Sequence, residues 1–134
     1  MNGLFVDTAG WMACADEDDP SHKQMMASRD AWLEDGGLLV TTDYVADETL
    51  TLLRVRLGLA AAKNWWRQVE NSMRLRWELI TVERSIKARD MFFQYDDHDF
   101  SFTDCASFVV MRELRLKRAL TTDRHFIHAG FQIH

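Results

Sequence analysis

Two cysteines, one proline and six glycines in 134 residues leave no material for a disulfide framework, a proline-rich spacer or a low-complexity tail. Cys14 and Cys105 lack metal-ligand spacing and read as free thiols of a reducing cytoplasm. No apolar run approaches the roughly 20 residues of a membrane span. The opening Met1-Asn2-Gly3-Leu4-Phe5-Val6-Asp7 has none of the basic flank of a secretory signal. The expectation is a cytoplasmic protein with no membrane association. Also missing are GxxxxGK[ST], GxGxxG, GxSxG and HExxH, so nucleotide-binding loops, dinucleotide folds, the hydrolase elbow and helical zinc sites have no support. The five histidines are scattered, which argues against a histidine-based zinc site.

A net positive charge is absent as well: the formal charge is -5. Its distribution is uneven. Residues 1–50 carry eleven acidic side chains against Lys23 and Arg29, whereas residues 54–76 carry Arg54, Arg56, Lys63, Arg67, Arg74 and Arg76 against Glu70 alone. Such asymmetry suits a basic docking face beside an acidic site, and equally a solvated, arginine-rich helix surface.

What is present fits one folded domain over residues 1–134, with 47% hydrophobic and 28% charged residues. Leu4-Phe5-Val6 reads as a buried parallel strand ending at Asp7. The acid run Asp16-Glu17-Asp18-Asp19 reads as solvated capping and loop charge and not as a metal site, with Asp19 capping a helix that starts at Pro20 and is stopped by Gly36-Gly37. Leu38–Thr41 is a second strand. A helix from Thr42 or Asp43 to about Leu57 follows, with Val45, Thr49, Leu52 and Val55 or Arg56 at helical spacing. Gly58 breaks it, and a helix from Leu59 to about Ser72 carries Trp65 and Trp66, which cannot both face one core. Trp77–Val82 is a third strand, then a helix over 83–95 with Ile86, Met91 and Phe92 inward. Arg118–Thr121 and Phe131–Ile133 close the set. This alternation predicts an α/β fold with a mostly parallel central sheet of four to five strands flanked by helices.

From Cys105 to Met111 only Ser107 is polar, which predicts a helix buried on all sides. Asp104 stands at its head, so its charge must cap the helix, pair with a cation or hold a metal. Asp7 and Asp123 follow strands at the end where open parallel sheets build their sites. Glu48 falls on the inward stripe between Val45 and Leu52, at about 100° per residue, while Asp47 points away.

Each acid has a plainer reading. Asp7 suits a turn, Asp123 a short helical cap, and Ser101 with Asp104 a capping box. Glu48 has the weakest such alternative, because helices rarely turn an unpaired Glu inward. Together the four would repel at one sheet edge, with a basic neighbour in sequence, Arg124, only at Asp123. A divalent cation resolves that conflict, and all-oxygen ligation favours Mg²⁺ or Mn²⁺.

The segments FVDTAGW, TTDYVADETLTLL, DFSFTDCASFVVM and ALTTDRHFIHAGF carry a resemblance to PIN-domain proteins, most closely to the VapC-type toxin ribonucleases of bacterial toxin-antitoxin pairs. By that resemblance Asp7, Glu48, Asp104 and Asp123 match the acidic quartet that is catalytic and metal-binding. Thr8, Ser101 and Thr103 match supporting hydroxyls that hold metal-bound water or a carboxylate. The resemblance implies a single PIN-like domain, a Mg²⁺- or Mn²⁺-dependent endoribonuclease cutting structured RNA (tRNA, rRNA or mRNA), a homodimer and a small antitoxin inserting near the site. Arg54, Arg56, Lys63 and Arg67 are then candidate RNA contacts. The competing readings are a catalytically silent PIN-like interaction module, and a phosphatase of the haloacid dehalogenase type, which would want an Asp where Ala9 stands.

Overall fold

The computed structural model describes residues 1–134. Its strands are β1 (Gly3–Val6), β2 (Leu38–Thr42), β3 (Leu75–Glu78), β4 (Arg118–Leu120) and β5 (Gln132–Ile133). Its helices are α1 (Thr8–Ala15), α2 (His22–Glu34), α3 (Asp43–Leu57), α4 (Leu59–Glu70), α5 (Val82–Gln94), α6 (Phe102–Glu113) and α7 (His125–His128). The strands form one parallel sheet in the order β3-β2-β1-β4-β5. An unbroken Leu-Phe-Val run belongs at the centre of such a sheet, and all four residues of β1 are buried there. The chain moves one way across the sheet from β1 to β3 and the other way from β4 to β5. Strand order therefore reverses between β1 and β4, the switch point where α/β sheets open a crevice beyond the strand ends.

The α/β class, the parallel sheet and the strand count agree with the sequence reading. The wholly buried helix does too: every residue of α6 from Cys105 to Met111 is buried. Phe108 packs edge-on against Phe100 and Phe126, and Phe131 lies alongside. Of the two adjacent tryptophans, Trp65 is buried against Trp11 and Trp66 is exposed.

Four local expectations need correction. Between β1 and β2 there are two helices, not one: α1 is apolar on nearly every side and so shows no helical period. The next helix begins at His22, because Asp19 Oδ1 accepts the Ser21 amide at 2.8 Å and holds Pro20 in a turn. The third strand is Leu75–Glu78 rather than 77–82, since the Thr81 hydroxyl accepts the Arg84 amide and starts α5. Burial on α3 falls on Val45, Ala46, Thr49 and Leu53, leaving Val55 and Arg56 exposed; on α5 it falls on Ala88 and Met91, leaving Ile86 and Phe92 largely exposed. Each of these helices packs against a neighbouring helix, α4 for α3 and α6 for α5, and that contact rotates the buried stripe.

Candidate active site

Asp7 leaves the C-terminal end of β1 at the switch point and caps α1. Its Oδ1 accepts the Gly10 amide at 2.8 Å, and its Oδ2 accepts the Thr121 hydroxyl at 2.6 Å. A cap this close to the sheet needs a helix lying directly on it. Gly10 permits that: a Cβ there would stand 2.1 Å from the Leu120 carbonyl oxygen. Trp11 fixes the other side of α1, donating from Nε1 to Thr41 Oγ1 (3.2 Å), whose hydroxyl donates to the Val6 carbonyl (3.0 Å). Asp7 is buried, and burial pushes its carboxyl up from the usual 3.8 to about 7. Its two donors work against that rise, while the charges of Asp123 and Asp104 add to it.

Asp104 sits in the first turn of α6 in a complete capping box. Ser101 Oγ accepts the Asp104 amide at 2.9 Å, and Asp104 Oδ2 accepts the Ser101 amide at 3.1 Å. Capping and the acidic position thus fall on one residue, as the Ser101–Asp104 spacing predicts. Burial is also the main cause of a raised Asp104 pKa; the Ser101 amide and His125 oppose the rise, and Asp123 adds to it.

Asp123 follows β4. Its amide donates to Thr121 Oγ1 at 2.9 Å, and its Oδ1 accepts the His125 amide at 2.9 Å. Thr121 therefore joins Asp7 to Asp123 through one buried hydroxyl. Glu48, half-buried on α3, faces the same space.

These four acids line one cleft of about 290 Å³ together with Thr8, Thr103, Ser107, Thr122, Asp19 and Arg56. Asp19 corrects the reading of the acid run as wholly solvated. No Lys or Arg forms an ion pair with any of the quartet; Arg124, next to Asp123 in sequence, does not pair with it. Arg56 is the one cation of the lining. Arg54, Lys63 and Arg67 are exposed on α3 and α4 and do not reach the cleft. Ser101 is exposed and acts only through Asp104, whereas Thr8 and Thr103 line the cleft.

The tightest donor group is Asp104, Asp123 and His125, whose ligand atoms all lie within 4.8 Å of one another. His125 Nδ1 is 3.2 Å from Asp123 Oδ1 and 3.4 Å from Asp104 Oδ2. That nitrogen and Thr8 Oγ1 are both buried without a hydrogen-bond partner. Converging carboxylates without a Lys or Arg ion-pair partner, together with two buried atoms of unused hydrogen-bonding capacity, make a donor set that suits a divalent metal ion. Sequence reasoning missed Thr121, Gly10 and His125. The Asp-x-His spacing at 123–125 is the only local signal among them; the Thr121 contact spans 114 residues.

Known proteins match nearly the whole chain. The PIN domain family matches residues 4–132. The chain is 31% identical over 128 residues to the 23S rRNA-specific endonuclease VapC20 of two strains of Mycobacterium tuberculosis, covering 96% of this chain and 95% of the relative. The crystal structure of the Mycobacterium tuberculosis VapC20 protein, described as a sarcin-ricin loop cleaving toxin, superposes with a TM-score of 0.86 at 30% identity over 96% of this chain and 95% of that one.

Proposed function

Because the chain belongs to the PIN-domain family, we propose that it is the toxin of a type II toxin-antitoxin pair, an endoribonuclease that cuts structured RNA with a Mg²⁺ or Mn²⁺ ion. The observation that carries the reading is the convergence of Asp7, Glu48, Asp104 and Asp123 on one cleft without a Lys or Arg partner. A silent interaction module has no use for that costly arrangement.

Asp7, Asp104, Asp123 and Glu48 would hold the ion. Held there, the ion would supply an acidified water for attack and positive charge for the phosphate and the leaving oxygen. The protein's own part is positional. Thr121 and the Gly10 amide fix both oxygens of Asp7, and the Ser101 cap fixes Asp104. Arg56 offers a phosphate contact at the cleft wall, and Arg54, Lys63 and Arg67 extend positive charge along α3 and α4. These contacts are blind to sequence, so selectivity rests on RNA shape and exposed loops.

The mycobacterial relative's name makes 23S rRNA the first substrate to test, with tRNA and mRNA after it. A small antitoxin inserting near the cleft, a homodimeric state and a cytoplasmic location complete the proposal. No helix is long and apolar enough to cross a membrane. The test is transcriptome-wide mapping of new 5′ ends after induction, with Asp104→Asn as the control. Discrete cuts in structured RNA that vanish in the variant are expected. Identical cuts from both proteins, or none from the wild type, would overturn the reading. Finding a short neighbouring reading frame that encodes a DNA-binding protein would support the toxin assignment.

A further inference from the structure

We propose that His125 supplies a nitrogen ligand, through Nδ1, to the ion held by Asp104 and Asp123, making the site a mixed oxygen and nitrogen one that favours Mn²⁺ over Mg²⁺. The inference rests on the metal-dependent reading of the cleft and adds a residue outside the acidic quartet.

Three observations carry it. First, Nδ1 is buried and has no hydrogen-bond partner. A buried ring nitrogen left unsatisfied is costly unless something outside the protein chain completes it. Second, its distances to Asp123 Oδ1 and Asp104 Oδ2 are 3.2 and 3.4 Å. Ligands on adjacent corners of an octahedron about 2.1–2.2 Å from its centre stand about 3 Å apart. The three atoms are thus spaced as neighbouring ligands of one ion. A charged imidazole paired with a carboxylate would aim its N–H along one oxygen. Here Nδ1 lies between two oxygens and satisfies hydrogen-bond geometry with neither.

Third, the ring is held in place. His125 opens α7, its amide donates to Asp123 Oδ1 at 2.9 Å, and its ring stands edge-on to buried Phe100 at 5.5 Å. The neighbouring imidazole is His128, with ring centroids 6.3 Å apart. Imidazole is a softer donor than carboxylate and adds a ligand without adding negative charge. Mg²⁺ prefers oxygen and retained water, so a nitrogen in the set moves preference toward Mn²⁺.

The test uses the full chain without RNA, loaded with Mn²⁺ and read by pulsed electron paramagnetic resonance. The expected result is a modulation from directly bound ¹⁴N in the wild type, replaced by the ¹⁵N pattern when the protein carries ¹⁵N-histidine. It should disappear in His125→Gln and persist in His128→Gln. In metal titrations His125→Gln should weaken Mn²⁺ by roughly tenfold or more and change Mg²⁺ by less than about threefold. Mn²⁺ bound without nitrogen modulation overturns the role of His125 and leaves the nuclease reading standing. Failure to bind Mn²⁺ at millimolar concentration overturns both. Unchanged or tighter Mn²⁺ binding by His125→Gln also overturns the proposal, because it makes the ring a counter-charge. If His125→Gln does not fold, the isotope exchange read in the wild type and in His128→Gln decides: a ¹⁵N pattern kept in both supports the proposal, and its loss in His128→Gln overturns it.

Discussion

Thr121 donates its hydroxyl to Asp7 Oδ2 at 2.6 Å and accepts the Asp123 amide at 2.9 Å with the same oxygen. Residues that close the switch point from the ends of β1 and β4 are thereby tied by one buried group. Replacing it by Val keeps the shape and removes both bonds. Thr121→Val is expected to lower metal affinity roughly 10–100-fold, as loss of a ligand-orienting partner does. Thr121→Ser should retain most of it. Isothermal titration with Mn²⁺ reads the difference, and equal affinities in all three proteins would show that Asp7 needs no such anchor.

The raised pKa of Asp7 makes stability depend on pH in a defined direction. Its folded value of about 7 exceeds the usual 3.8, so the folded protein binds more protons between those values. The contribution of Asp7 to stability is then fully present at low pH and is lost as pH rises toward 7. Asp104 shifts the same way. In metal-free buffer the melting temperature should fall from pH 5 to pH 8, by an amount reflecting at most a few kcal/mol. Added Mn²⁺ should reverse the fall, and Asp7→Asn should flatten it. A melting temperature that climbs from pH 5 to pH 8 in chelator contradicts the assignment.

Asp104→Asn separates catalysis from folding. The amide oxygen can still accept the Ser101 amide, so the capping box survives. The charge that repels Asp7 and Asp123 is gone. RNA cleavage should drop by at least about 10³-fold, while metal-free protein at pH 8 melts higher by a few degrees. Cleavage near the wild-type rate would rule out Asp104 as a working group.

How much of this was visible in the chain depends on the range of the interaction. Leu4-Phe5-Val6 and Cys105–Met111 declare themselves because burial on all sides needs unbroken apolar runs, and Glu48 because an inward Glu violates helical patterning. Helix α1 has no polar face and so no period to read. Trp77–Val82 is apolar enough for a strand, but the Thr81 hydroxyl caps a helix instead. Thr121 and His125 owe their roles to partners brought in by the fold. No local pattern marks a threonine whose carboxylate lies 114 residues away.

Arg56 is the lining cation, so its removal should change binding in a way that salt can read. In the Asp104→Asn background, which spares the substrate, Arg56→Ala should weaken RNA binding several-fold at low salt. The slope of log affinity against log salt should fall by about 1, one phosphate contact's worth. Fluorescence anisotropy across a salt series measures it. An unchanged slope would mean that Arg56 serves Glu48 or Asp19 and does not touch the backbone.

Gly10 is the position where fold and site depend on the same missing atom. A Cβ would meet the Leu120 carbonyl oxygen at 2.1 Å and Val6 Cγ1 at 3.1 Å, and the first is backbone that no rotamer change can move. Gly10→Ala must therefore push α1 off β4, taking with it the amide that holds Asp7 Oδ1. The expected cost is about 3 kcal/mol, the upper range for overpacking, or a drop of roughly 10 °C in melting temperature. Metal affinity should fall further than stability alone explains, since the displaced helix no longer aims Asp7. Denaturant unfolding and Mn²⁺ titration of the same preparation test the two effects separately. A variant that melts normally would show that α1 does not ride directly on the strand.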